Sequence, residues 1–146
     1  MVQANTPVIL GSWSELGSLA LPLRIEVFVH EQGVPQELEQ DEYDADALHA
    51  IIMRDDVALA TGRLLVNDDA RGKIGRLAVH RDFRGRGLGR AVLLALEDAA
   101  RQRGVTKLAL HAQCNAQPFY AREGFIVLGA PFEEAGIEHV LMVKAL

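Results

Sequence analysis

Apolar positions along this chain keep two different periods. In short runs every second residue is apolar, and at one place the spacing becomes helical. Alternation marks a strand with one buried face, and a 3.6-residue period marks an amphipathic helix. "TPVIL" (Thr6 to Leu10) reads as a first strand, and Ser12 with Glu15 stands at capping-box spacing for a helix start. In "LPLRIEVFVHEQG", Leu23, Ile25, Val27 and Val29 alternate as in a strand, although Pro22 also suits the first position of a helix. "ALHAIIM" and "VALATGRLLV" predict a hairpin about Asp55–Asp56, "NDDARG" turns the chain, and "KIGRLAV" (Lys73 to Val79) predicts the next strand.

From Gly87 to Arg103 the period is helical. Leu88, Val92, Ala95 and Ala99 share a face, Glu97 and Arg101 pair four apart, and Gly104 ends the helix. "TKLALHA" predicts a strand, Asn115 to Arg122 a short helix, and "FIVLGA" and "IEHVLMV" two further strands. Strands outnumber helices around a central strand–loop–helix–strand unit, the pattern of an α/β or α+β fold with a mixed sheet. No repeat or linker divides residues 1–146, so one domain is expected.

Composition works mainly by exclusion. About half of the 146 residues are apolar and a quarter charged, as in ordinary globular proteins. No apolar run approaches the ~18 residues of a membrane span, and "MVQANTPVILGSW" lacks the basic opening of a secretory signal. The one cysteine, Cys114, excludes an internal disulfide and suits a reducing compartment, so a cytoplasmic protein is expected. A net charge of -5 argues against nucleic acid as the main partner. That charge is uneven. "ELEQDEYDAD" (Glu37 to Asp46) holds six acids and no base, whereas Arg76 to Arg90 holds five arginines against one acid, Asp82.

The arginines surround a glycine-rich helix entrance, "RDFRGRGLGR". Cations are unfavourable where a helix already presents partial positive charge, unless an anion binds there. Gly89 is followed by Arg90 and Ala91 rather than Lys-Ser/Thr, so this is no Walker A loop. The third glycine of a dinucleotide fingerprint is replaced by Arg90, and "VTKLALHA" lacks the acid expected beyond it. What fits is Arg/Gln-x-x-Gly-x-Gly/Ala between a strand and a long helix, with Arg84, Gly87 and Gly89 in place. Here the sequence resembles the GNAT acyltransferase superfamily. The likeness continues through "KLALHAQ" into "NAQPFYAREGF", where Asn115, Tyr120 and Gly124–Phe125 occupy the family's positions. "LRIEVFVHEQGVP" and "DALHAI" resemble one small bacterial branch, in which the segment around Arg24 is helical.

The resemblance implies a mixed, mostly antiparallel sheet of about six or seven strands with helices on both faces, splayed around acetyl-coenzyme A. It implies that Leu77, Ala78 and Val79 line the pantetheine arm. Arg84, Gly85, Arg86, Gly87, Leu88, Gly89 and Arg90 would hold the diphosphate, with Arg81 or Arg86 reaching the 3′-phosphate. Asn115, Phe119 and Tyr120 would flank the cofactor. The N–H of Val79 would polarise the thioester carbonyl and Tyr120 would protonate the departing thiolate. An amine near pKa 10 must lose a proton before attack. Candidates for that base or for acceptor contacts are Glu26, His30, Glu31, Tyr43, His111 and His139.

The acidic run would attract a cationic amine such as a polyamine, a lysine side chain or an amino sugar. No Cys, His or Asp grouping has metal-ligand spacing, so no metal is expected. Such domains often pair, and the apolar last strand is the available surface for a homodimer. The alternative reading is a coenzyme A-binding regulatory module without turnover. A basic nucleic-acid segment and an unrelated phosphate-metabolite enzyme are the further rivals.

Overall fold

The computed structural model describes residues 7–146, so Thr6 lies outside the described residues. Strand β1 (Ile9–Gly11) leads into α1 (Trp13–Arg24) through Ser12. The Glu15 N–H donates to Ser12 Oγ and the Glu15 carboxylate accepts from the Ser12 N–H (2.8 Å), so the capping box forms as its spacing predicts. Beyond α1 the helix continues as a wider π-helical stretch, Ile25–Glu31. Leu16, Ala20, Leu23 and Val27 are buried at helical spacing, while Ile25 and Val29 are only half-buried. Helical burial therefore overrides the apparent alternation of this segment, as the family resemblance implies.

A strap follows, made of α2 (Gln36–Glu39) and a 3-10 turn (Glu42–Asp46). The remaining elements are β2 (Leu48–Arg54), β3 (Val57–Val66), β4 (Arg71–Val79), α3 (Leu88–Gln102), β5 (Lys107–Gln113), α4 (Gln117–Arg122), β6 (Ile126–Val127), β7 (Phe132–Glu134) and β8 (Ile137–Ala145). The sheet runs β1-β2-β3-β4-β5-β8-β6, with β7 also on β8. Every pairing is antiparallel except β4 with β5.

Among the described residues the sheet has eight strands, against the six or seven expected. "FIVLGA" contributes only the two residues of β6, and β7 pairs with β8 around Ala135 (φ 53) and Gly136 (φ 78). Strand β8, expected as a surface for pairing two copies, is internal: it lies between β5 and the β6 and β7 pieces, with Val140 and Met142 buried.

The sheet is covered on both faces. Ile51 packs with α1 in one cluster, and its neighbours Ala50 and Ile52 pack with α3 in the other. The α3 stripe is Leu88, Val92, Leu96 and Ala99, with Leu96 taking the buried place expected for Ala95.

One interruption in the sheet positions the site. Strands β4 and β5 pair only from Arg71–Lys107 to Ile74–Leu110. In β4, Arg76 and Leu77 together oppose Gly62 of β3, a bulge with Arg76 at φ 54. A bulge bends its strand and strengthens the local twist. Beyond Ile74 the two strands are unpaired, which opens a fork.

Candidate active site

The open edge of β4 faces into this fork. The His80 N–H donates to Leu59 O on β3 (2.7 Å), and Val79 lies opposite Ala60. Antiparallel alternation then turns the N–H and C=O of Val79 away from β3. The Val79 carbonyl accepts from Arg84 Nε (3.0 Å), which leaves its N–H as the donor on this edge. Ala78, expected to line the pantetheine arm, offers neither part to this edge: its side chain is buried in the α1 cluster and the same alternation turns its N–H and C=O toward Thr61 of β3.

The start of α3 closes one end of the fork. Gly85 (φ 78) and Gly87 (φ 80) both hold the left-handed conformation that side chains resist, and no side chain caps the helix. Its first N–H groups therefore project as donors with partial positive charge, a ready anion site. A Cβ on Gly89 would stand 3.3 Å from Val79 Cγ2 and 3.6 Å from Phe119 Cζ, so a bare residue lets α3 sit against the end of β4.

The arginines of the turn divide their work. Arg84 forms a bidentate pair with Glu31 (3.0 and 2.8 Å), bracing the turn against the π-helical stretch. Arg90 Nε donates to Glu123 (2.7 Å), and Arg86 lies 5.1 Å over the Phe83 ring.

On the face of the sheet that carries α1 and the strap lies a cavity of about 1060 Å³. Gly75, Ala109, His111 and Gln113 form part of its floor, Tyr43 and Asp41 part of the strap side, and Glu134 and His139 the β7–β8 side. Tyr120 also lines it, half-buried and edge-on to Phe119 and Phe125. Burial pushes the Tyr120 hydroxyl up to about 12, so it stays protonated at neutral pH.

A bare helix end, an open strand edge and a large open cavity thus meet at one fork. The family model described as an acetyltransferase (GNAT) domain matches residues 14–146. The chain belongs to the GNAT acetyltransferase family. YjcF of Bacillus subtilis, an uncharacterized N-acetyltransferase, is 38% identical over 126 residues, covering 86% of this chain and 89% of that one. An acyl-CoA N-acyltransferase from Pseudomonas aeruginosa superposes with a TM-score of 0.84 at 33% identity, covering 95% and 99% of the two chains. Escherichia coli ElaA gives 0.84 at 29% identity, covering 94% and 98%. As a GNAT fold, the chain is built for acyl transfer from an acyl-coenzyme A.

The structure brings some expected residues together and separates others. Tyr43, His111, His139 and Tyr120 line the cavity. Glu26 and His30 pair with each other on an exposed helix face (2.9 Å), and Glu26 lines a separate groove of about 220 Å³. Glu31 is tied to Arg84. Phe119 packs against the core, and Asn115 is exposed in the 3-10 turn Cys114–Ala116.

The acidic run is not a free negative rim. Glu39 and Asp44 are buried, and Arg24 holds both through bidentate pairs. Arg63 donates to Asp41 and Asp44, and Arg76 reaches the Glu39 carbonyl (2.9 Å) and Asp41 (3.3 Å). Burial opposes ionisation of Asp41 and Asp44, but hydrogen bonds and charge from these arginines outweigh it and hold both carboxyls low. Half of the run's acids are therefore neutralised from within, while Glu37, Glu42 and Asp46 stay exposed.

Arg24, Arg63 and Glu134 are the participants that sequence reasoning missed. The two arginines did leave a signal, because each interrupts an apolar run and so is buried with a partner. Glu134 left none, since only the β7–β8 hairpin brings it to the fork.

Proposed function

We propose that the protein transfers the acetyl group of acetyl-coenzyme A to a primary amine of a small molecule or peptide, by direct attack with both substrates bound. The observation that carries this reading is the fork: the open β4 edge runs directly toward an uncapped helix N-terminus with two left-handed glycines. An extended arm can add to β4 through Leu77 and Val79 as a strand would. The N–H groups from Gly85 to Arg90 hold the diphosphate, with Arg81 and Arg86 beside them for further phosphate. Phe119 buttresses the helix start from behind, and Asn115 borders the site.

Bound acetyl-coenzyme A supplies a thioester carbonyl open to attack and a thiol as leaving group. The Val79 N–H donates where negative charge develops on that carbonyl. Tyr120 donates a hydrogen bond to the departing sulfur. A phenol near 12 is a weaker acid than a thiol near 8.5, so the sulfur leaves hydrogen-bonded and takes its proton from water.

Thermal unfolding with acetyl-coenzyme A, coenzyme A, ATP and NAD in parallel tests the cofactor. Saturation at a hundredfold Kd adds about 2.7 kcal/mol, roughly 5–10 °C for a domain of this size. Stabilisation by both coenzyme A species alone is expected, and an equal response to ATP overturns the reading. Free-thiol release with spermidine, a lysine peptide and glucosamine then separates an enzyme from a coenzyme A-binding module.

A further inference from the structure

The six candidates for the acceptor side are not equivalent once folded. His111 is the first residue of β5 beyond its last pairing with β4, on the strand face that carries Ala109 and Gln113 into the cavity. Its Nδ1 lies 3.0 Å from Glu134 Oε1 on β7. Burial works against ionisation of Glu134, but the hydrogen bond and charge of His111 prevail and hold its carboxyl below the usual range. An ionised carboxylate can only accept, so Nδ1 carries the proton and Nε2 keeps its lone pair when the ring is neutral. The His111 side chain keeps 30% of its surface open and lines the cavity.

His139 differs in each respect. Its Nδ1 donates to Ile137 O (2.7 Å), its side chain is nine-tenths buried, and its Nε2 stands 3.8 Å from Glu134, beyond hydrogen-bond reach. Phe132 is wedged between the two imidazoles, edge-on to His111 at 5.0 Å and stacked on His139 at 6.0 Å. Tyr43 lies on the strap side of the cavity, with no hydrogen bond from its hydroxyl to orient it among the described residues.

Resting on the acyl-transfer reading above, we infer that His111 Nε2 is the general base for the acceptor amine, with Glu134 fixing its tautomer and His139 and Phe132 acting as positioning residues. The amine nitrogen bonds to the thioester carbonyl carbon as the C–S bond breaks. The nitrogen's proton passes to His111 Nε2, directly or through one water, and from there to solvent. The sulfur leaves on the Tyr120 hydrogen bond and takes a proton from water. Glu134 is the charged group in contact with this ring. The other charged and titratable groups lining the same cavity are His139 on β8, Arg71, Lys73 and Arg76 on β4, Arg63 on β3, Tyr120 on α4, and Glu39, Asp41, Tyr43 and Asp46 on the strap side.

The test has two independent readouts. Long-range proton–nitrogen spectra of the imidazoles read the tautomer without any acceptor. His111 protonated at Nδ1 when neutral, and losing that preference in Glu134→Gln, is expected; protonation at Nε2 overturns the inference. The second readout is kcat against pH, using whichever of spermidine, lysine peptide or glucosamine releases thiol fastest. His111→Gln should lower kcat about a hundredfold or more, leave the KM for acetyl-coenzyme A within twofold, and abolish the ascending acid limb. A His111→Gln variant with unchanged kcat and limb overturns the inference while leaving acetyl transfer standing. Coenzyme A-dependent stabilisation with no amine turned over sinks the enzyme reading instead, and His111 as a base with it.

Discussion

Tyr120 shows how one residue carries packing and chemistry together. Its ring lies edge-on between Phe119 and Phe125 at 5.0 and 6.1 Å, an arrangement that a phenylalanine would keep. The residue also lines the cavity. Tyr120→Phe should therefore leave the unfolding midpoint and the coenzyme A-induced stabilisation nearly unchanged. It should lower kcat about tenfold or more, since the departing sulfur loses one hydrogen bond to a charged group, about 1.5–3 kcal/mol. Steady-state kinetics beside thermal unfolding checks both halves, and a loss of cofactor binding with unchanged kcat would reverse the assignment. Arg84 teaches the opposite lesson. Its place in the glycine-rich signature predicts a phosphate contact, yet its side chain is tied to Val79 O and Glu31, so its structural work is to hold the turn on β4.

Among the elements, the strap made of α2 and the 3-10 turn is held by charge rather than by apolar packing. Arg24 is fully buried on α1 and reaches Glu39 at 2.6 Å and Asp44 at 2.8 Å. Removing Arg24 takes the bidentate partner from buried Glu39 and leaves Asp44 to Arg63 alone, and breaking a buried pair in this way costs about 3–5 kcal/mol. Arg24→Met should lose about that much in urea unfolding, whereas Glu42→Gln, at an exposed position of the same run, should change stability by less than about 0.5 kcal/mol. Equal losses would mean that the run acts through its summed charge. The strap also marks where local sequence is least informative. Six acids in ten residues read as a solvated rim, because the arginines that neutralise three of them lie on α1, β3 and β4.

Across the whole molecule, what the sequence discloses depends on how local its cause is. The α3 stripe, the capping box at Ser12 and the glycine-rich turn are set by neighbours within a few residues, and each is legible. The fork is legible only through family resemblance, because it arises from a bulge at Arg76 and a pairing that stops at Ile74. The cluster of His111, Glu134 and His139 joins three strands through a hairpin whose β7 has only three residues, too short to show a period. The same long-range assembly sets the response to acid. His49 is buried on β2 with Nε2 donating to Asp44 O (2.9 Å), and desolvation holds its pKa below the usual 6.5. As pH falls below about 6.5 the unfolded chain takes up that proton first, so this contribution is complete above 6.5 and is lost as pH falls through the folded value. Asp41 and Asp44, held low by the arginines, contribute stability above about pH 4 that is lost as pH falls through their own folded values. The melting temperature should therefore be level from pH 8 to 7, decline in a first step below about 6.5, and fall again below about 4. His49→Gln, which keeps a donor for Asp44 O but cannot titrate, should remove the first step and spare the second. A first step that survives this change would overturn its assignment to the buried contact between β2 and the strap.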